Sequence, residues 1–180
     1  ARITNVLRAW LKVSAIQSPS MHTFNRLIDE AMFASMDAMP LISWDGARIR
    51  RHQDYLYIDR VGQAALPTST EWLEFPNPIS IANGLIRLSA AGADKGMLIP
   101  DGARVEIRFR QAGEQLFLYG QTKKLKKLMQ EWGIPPWLRG SIPLLYVDNQ
   151  LAAVVGYAIS DLFYTTNTSA WVISSNTLAD

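Results

Sequence analysis

Residues 122–145 read TKKLKKLMQEWGIPPWLRGSIPLL, four lysines followed closely by a glycine and a pair of prolines. With Thr122 as N-cap, the spacing predicts a helix from about Lys123 to Trp132, because Leu125, Leu128, Met129 and Trp132 recur at i, i+3, i+4 and i+7 and line one apolar face. The lysines are thereby turned outward together. Lys123 and Lys127 are i, i+4 neighbours, the pairs Lys123/Lys126 and Lys124/Lys127 are i, i+3, and each like-charge pair costs about 0.2–0.5 kcal/mol. A helix start already carries about half a positive charge, so cations there also oppose the macrodipole. Gly133 stands where a left-handed residue closes a helix, Ile134 can fold back on the last turn, and Pro135 and Pro136 forbid continuation. A phosphate held beside the lysines would offset both the repulsion and the dipole conflict. The alternative is a lysine run that only keeps a helix face solvated.

The surroundings are basic as well. Arg104, Arg108, Arg110, Lys123, Lys124, Lys126, Lys127 and Arg139 stand against Glu106, Glu114 and Glu131, a local excess of five positive charges in a chain whose net charge is +2. In ARVEIRFR, residues 103–110, strand alternation puts Glu106, Arg108 and Arg110 on one face, expected to meet solvent, and Val105, Ile107 and Phe109 on the other. With the lysines, the two arginines would form a stripe able to track a phosphate backbone. Arg48, Arg50, Arg51 and His52 form a second cluster after a hairpin turn, and two readings suit it: contact with RNA, or a charged edge strand that resists aggregation.

At 180 residues and 48% apolar composition, the chain supports packed cores in one large or two small domains. Charged residues make up only 19%, so a nucleic-acid or membrane role must come from clustering and not from total charge. The absence of cysteine removes disulfides, thiolate catalysis and cysteine-ligated zinc, and fits a reducing cytosol. ARITNVLRAWLKVSAIQ lacks an initiator methionine and is interrupted by Arg2, Arg8 and Lys12, so it resembles neither a signal peptide nor a membrane span. Its immediate helical pattern predicts a piece of a longer chain. No other stretch approaches about 18 uninterrupted apolar residues, and the expectation is a cytoplasmic protein with no membrane partner.

The predicted fold class is α+β. Ile3, Val6, Leu7, Trp10 and Leu11 mark a first amphipathic helix; Phe24, Leu27, Ile28, Ala31 and Met32 mark a second, from an N-cap at Ser20 to about Ser35. Strands around an Asp45-Gly46 turn back this helical hairpin with a small sheet. The Pro-, Ser- and Thr-rich run between Gly62 and Pro78 suggests a boundary, giving expected domains 1–64 and 65–180. The second is a β-rich, sandwich-like domain with one amphipathic helix, its short strands separated by Asn83-Gly84, Asp101-Gly102 and Asp148-Asn149 turns.

Chemistry-bearing motifs are sparse. His22 and His52 are the only histidines, neither lies in a nucleophile motif, and two histidines without cysteine make a weak zinc signal. The carboxylates are scattered, so no acid–base pair stands out. Asn167-Thr168-Ser169 matches a glycosylation sequon, to which no role is assigned. We therefore expect no catalytic, cofactor-binding or metal-binding residue in this chain.

The stretch KKLKKLMQEWGIPPWLRGSIPLLYVDNQLAAVVG, residues 123–156, resembles the C-terminal domain of bacterial tRNA(Ile)-lysidine synthases, in which a lysine-rich helix, a Gly-Ile/Val-Pro-Pro-Trp-Leu-Arg turn and a Pro-Leu-Leu strand occur in this order. VEIRFRQAG resembles the arginine-bearing strand of the same domain, and the N-terminal helices with RIRRHQDYLYI resemble its small substrate-recognition domain. The resemblance implies a ligase that activates the wobble cytidine of an isoleucine tRNA with CAU anticodon, using ATP with magnesium, and joins lysine to it to form lysidine. In that family the nucleotide site is an N-terminal domain with a Ser-Gly-Gly-x-Asp-Ser loop. This chain has neither that loop nor a Gly-x-x-x-x-Gly-Lys loop, so the fragment is expected to be inactive alone. The family's last domain is similar to a β-sandwich domain of the phenylalanyl-tRNA synthetase β chain, and a homodimer of the parent enzyme is a further expectation. By matching position, Lys123, Lys124, Lys126, Lys127 and Arg139 would meet tRNA phosphates together with Arg108 and Arg110, while Gly133, Pro135, Pro136 and Leu138 shape the turn. Trp137 suits either stacking on RNA or core packing. The turn before the lysines, Tyr119-Gly120-Gln121-Thr122, is shorter than the Arg- and Gly-rich turn of many family members. A freestanding RNA-binding or protein-interaction module without catalysis is the competing reading.

Overall fold

A computed structural model describes residues 2–33, 35, 38–62, 65–166 and 169–177. Two compact units divide the chain, Ala1–Gln63 and Ala64–Leu178. The sequon residues Asn167 and Thr168, and the expected boundary residue Ala64, lie outside the described residues.

In the first unit, helix α1 (Arg2–Val13) buries Leu7 and Leu11, one turn apart, which is why an i, i+4 pair suffices to seat it. Helix α2 (Met21–Arg26) starts at Ser20, whose Oγ accepts from the Thr23 backbone N–H at 3.3 Å. It runs on as a π-helical segment, Leu27–Met32, so the second helix departs from regular α geometry where Leu27 and Ala31 are buried. Strands β1 (Leu41–Trp44), β2 (Ala47–His52) and β3 (Tyr55–Arg60) form an antiparallel sheet in sequence order. Asp45 and Gly46 both take positive φ, as a two-residue hairpin turn requires. Ile42 and Ile49, cross-strand partners, close a core with Leu11, Phe24 and Leu27. The basic cluster lies on β2, the central strand of this sheet, so its reading as an edge strand does not hold. Arg48 is ion-paired with Asp59, and Arg51 Nε donates to the Gln53 carbonyl at 2.9 Å.

The second unit holds, in order, β4 (Ser69–Glu71), β5 (Ile79–Ile81), β6 (Ile86–Ala93), β7 (Gly96–Met97), β8 (Val105–Phe109), β9 (Gln115–Leu118), β10 (Gln121–Lys124), helix α3 (Leu125–Glu131), β11 (Pro143–Val147), β12 (Gln150–Val154), β13 (Ala158–Ile159), β14 (Tyr164–Thr165) and β15 (Ala170–Thr177). One five-stranded sheet has the order β13-β12-β11-β8-β4 and the other β14-β7-β15-β6-β5; all pairings are antiparallel. They pack face to face through Val105, Ile107, Leu145 and Val147 from the first and Ile81, Ile86, Leu88 and Met97 from the second. On the outer face of the second sheet the Ser89 and Ser174 hydroxyls lie 2.9 Å apart on paired strands, next to the exposed Val172 and Ala91 pair. The fold is therefore mixed, with few helices and many antiparallel strands. No helix among the described residues is long and apolar enough to cross a membrane.

At Gly96 the backbone of β7 meets β15 so closely that a Cβ would stand 2.5 Å from the Trp171 carbonyl oxygen, whereas one at Gly92 would meet nothing within 4 Å. Gly96→Ala should therefore lose about 1–3 kcal/mol in urea unfolding with an unchanged m-value, and Gly92→Ala should stay within about 0.5 kcal/mol of the parent.

Candidate nucleic-acid interface

Strand β11 positions the basic region. All five of its residues are buried: Leu145 and Val147 face the second sheet, while Leu144 and Tyr146 face a separate core built with Leu125, Leu128 and Met129 of α3 and Leu116 and Leu118 of β9. Because that face must be covered by α3 and the β9–β10 hairpin, their polar residues point away from it. Lys124, Lys126 and Lys127 are exposed and Lys123 is half-buried.

The helix is shorter than the sequence pattern suggests. It spans Leu125–Glu131, with Lys124 at the N-cap in an extended conformation and no side-chain capping bond, so Thr122 is not the cap. Gln121–Lys124 form β10 instead, paired with β9 around the Tyr119-Gly120 turn. Lys123 lies in β10 outside the helix, which removes the expected i, i+3 and i, i+4 repulsions involving it, whereas Lys124 and Lys127 stand at the N-cap and third helical positions. The first helical N–H, that of Leu125, donates to the Glu114 carbonyl at 2.9 Å. The helix end follows the sequence: Ile134 N–H donates to the Met129 carbonyl and Gly133 N–H to the Gln130 carbonyl, both at 3.0 Å, with Gly133 at φ +68°. Beyond it, Arg139 Nε donates at 2.8 Å to the Ile134 carbonyl and ties the Pro-Pro turn shut.

Strand β8 corrects a second expectation. Glu106 and Arg108 do share a face, but it is the one carrying Tyr146 and Leu144, as the register pairs Glu106 with Tyr146 and Arg108 with Leu144. Glu106 is 5% exposed and receives Arg104 Nη2 at 3.0 Å as well as Arg108 Nη2. A buried carboxylate between two guanidiniums is the compensated form in which such a charge can exist inside a protein. Arg108 also lies over the Tyr146 ring, 4.2 Å from its centroid, and donates to Asn149 Oδ1 at 2.5 Å. Arg108 is thus a half-buried structural cation, and much of its charge is neutralised by Glu106. Arg110, Trp137 and Arg139 are half-buried too.

Sequence reasoning passed over the aromatic residues beside the lysines. Tyr119 stands 77% exposed at the β9–β10 tip with Lys123 Nζ 5.0 Å from its ring centroid, and Tyr157 stacks on Trp132 at 5.5 Å. Tyr119 is marked in sequence only by its place before a turn glycine; Tyr157 is brought there from 25 residues beyond Trp132 by tertiary structure alone.

The second unit is thus a two-sheet β-domain with a helix and hairpin on its outer face, displaying three exposed lysines and a fourth held against a tyrosine. Residues 1–57 match the family model of the TilS substrate binding domain and residues 105–175 that of the TilS substrate C-terminal domain. The chain belongs to the tRNA(Ile)-lysidine synthase family. The tRNA(Ile)-lysidine synthase of Legionella pneumophila (strain Paris) is 52% identical over 176 residues, covering 97% of this chain and 41% of that protein. Those of Coxiella burnetii (strain RSA 493 / Nine Mile phase I) and Serratia proteamaculans (strain 568) are 36% and 31% identical, covering 90% and 89% of this chain and 37% of each relative. The chain thus spans about two fifths of the length of these relatives. A solved structure titled "Crystal structure of TILS C-terminal domain" aligns with a TM-score of 0.48 and 22% identity, covering 61% of this chain and 98% of that one.

One group in the core beneath α3 has a displaced pKa. Burial pushes the Tyr146 phenol up to about 12, reinforced by the Glu114 carboxylate and its hydrogen bond with the phenol at 3.0 Å, and opposed by Arg108. Below pH 10 both folded and unfolded chains hold this proton. Between pH 10 and 12 the unfolded chain releases it first, so the contribution to stability is lost as pH rises through that window. Tyr146→Phe should be less stable than the parent by about 1 kcal/mol at pH 8, and the gap should shrink by pH 11.5. Urea titrations at the two pH values measure it.

Proposed function

We propose that this chain is the tRNA-gripping part of an ATP-dependent ligase that joins lysine to the wobble cytidine of an isoleucine tRNA with CAU anticodon, making lysidine. The observation that carries the reading is the family membership of both units combined with the outward lysine surface of the second. ATP with magnesium and the lysine substrate belong to a domain that supplies a phosphate-binding loop; this chain has no sequence of that kind, and no step of the ligation is assigned to it. We assign residues 1–64, a helical hairpin with a small sheet, to substrate recognition. Residues 65–180, with an architecture akin to the phenylalanyl-tRNA synthetase β-chain domain, we assign to holding the tRNA body. The parent enzyme acts in the cytoplasm, where its tRNA is found, and a homodimer of it is part of this reading.

Within the second unit, Lys123, Lys124, Lys126 and Lys127 are the residues that meet phosphate. Exposed ammonium groups on flexible stems gain by replacing the condensed counterions of a polyanion, a gain that is large at low salt and shrinks as salt rises. Arg108, Arg110 and Arg139 act at shorter range: all three are half-buried and internal bonds further fix Arg108 and Arg139, so they orient RNA more than they attract it. Trp137 completes this group from the Pro-Pro turn as a stacking surface. Because binding to phosphate carries little sequence information, selection of one tRNA rests on base edges and RNA shape.

The 180-residue chain should bind tRNA in a salt-sensitive manner. Replacing Lys123, Lys124, Lys126 and Lys127 by Gln should lower the slope of log K against log salt by roughly one for each phosphate that is no longer neutralised, with similar weakening for all tRNAs. Filter binding between about 50 and 200 mM salt measures it. An unchanged slope would return the lysines to a solvating role.

A further inference from the structure

In the second unit a cleft of about 490 Å³ opens between the β9–β10 tip, the β12–β13 connection and the β7, β14 and β15 side of the second sheet. Its lining includes the buried apolar side chains of Met97 and Val155, and around it Tyr119, Tyr157 and Tyr164 are 77%, 48% and 50% exposed. Two of these rings are held in place. Tyr119 and Gly120 form the hairpin turn with φ of +55° and +70°. Glycine and asparagine take that conformation readily, whereas a bulky aromatic residue rarely does. The Gly120 N–H donates to Asp161 Oδ2 at 2.7 Å and the Asp161 N–H to the Phe117 carbonyl at 3.0 Å, so the tip is pinned to the loop after β13. Tyr157 is stacked on Trp132 with 21° between the rings, which sets its plane and leaves it half exposed.

We propose that this cleft receives an unstacked base of the bound RNA, laid against Tyr119 and Tyr157 with the adjoining phosphate on Lys123. The inference rests on the RNA-binding reading above. Charge and ring chemistry select the occupant. Aromatic rims also serve protein partners, so the cation beside the ring is what distinguishes the occupant: a nucleotide brings a phosphate next to every base. Here three phenol rings stand around the cleft beside the half-exposed Val172 and the Asp161 carboxylate that holds Gly120, with an ammonium group 5.0 Å from one ring centroid in a segment carrying an excess of five positive charges. Aromatic faces beside cations are what single-stranded nucleic acid requires, since every base has a π-face and every nucleotide a charge. A cleft of this volume lies within the range of small-ligand sites and accommodates a nucleoside.

The experiment is fluorescence anisotropy of the 180-residue chain with a labelled six-nucleotide single strand of riboadenosine and with a blunt RNA duplex, at one salt concentration. Tyr119→Ala and Tyr157→Ala should each weaken single-strand binding about 5- to 100-fold and leave duplex binding unchanged. Tyr119→Phe and Tyr157→Phe, which keep the rings, should bind like the parent. If Tyr157→Ala unfolds, Tyr119→Ala decides, because that side chain lies outside the core. Single-strand binding that survives Tyr119→Ala, or equal losses for single strand and duplex, would overturn the proposal while leaving the RNA-binding reading intact. A parent chain that binds neither RNA nor tRNA would overturn both.

Discussion

The second unit depends on a strand that has no solvent-facing side. All of Pro143–Val147 is buried, so side chains pointing in both directions need an apolar partner layer. The second sheet supplies one layer. Helix α3, β9 and the turn through Ile134 supply the other, bringing Leu125, Leu128, Met129 and Ile134 onto Leu144 and Tyr146. Once α3 is fixed there, Lys126 and Lys127 have only the outer surface left to them. The arrangement of the basic residues thus follows from the burial of β11, not from attraction between the lysines and anything inside the protein.

The same constraint divides the basic residues into two kinds. Arg104 and Arg108 stand where β8 passes beside β11, and the low-polarity surroundings require the buried Glu106 to be compensated by both. Their charges are largely spent within the protein. Lys124, Lys126 and Lys127 stand exposed and Lys123 lies against the Tyr119 ring, so none of the four charges is spent on a carboxylate partner that the structure shows. Tyr146 joins the two regions: its ring lies under Arg108 and its hydroxyl bonds to Glu114, the residue whose backbone carbonyl accepts the first helical N–H of α3.

Local signals carried far in this chain. The Gly133-Ile134-Pro135-Pro136 stop was legible because helix closure is settled by φ and by hydrogen bonds a few residues apart. The Asp45-Gly46 and Asp148-Asn149 turns were legible for the same reason, and Ser20 acts as the N-cap its position suggests. The start of α3 was not. Thr122 and Lys123 pair with Phe117 and Leu116, and the gain of those ladder bonds competes with a helical turn that would have carried crowded lysines.

The sequence by itself determined which residues alternate along β8, where the chain turns, and how basic the segment from Arg104 to Arg139 is, since these are set by neighbours in the chain. Only the tertiary structure decided that the charged face of β8 is covered, that the basic cluster after Asp45-Gly46 lies on a central strand, and that Tyr119 and Tyr157 line one cleft. Alternation separates two faces of a strand but does not say what lies against either. That depends on partners 30 to 40 residues away, such as Leu144 and Tyr146 opposite Arg108 and Glu106, and on the burial those partners must share.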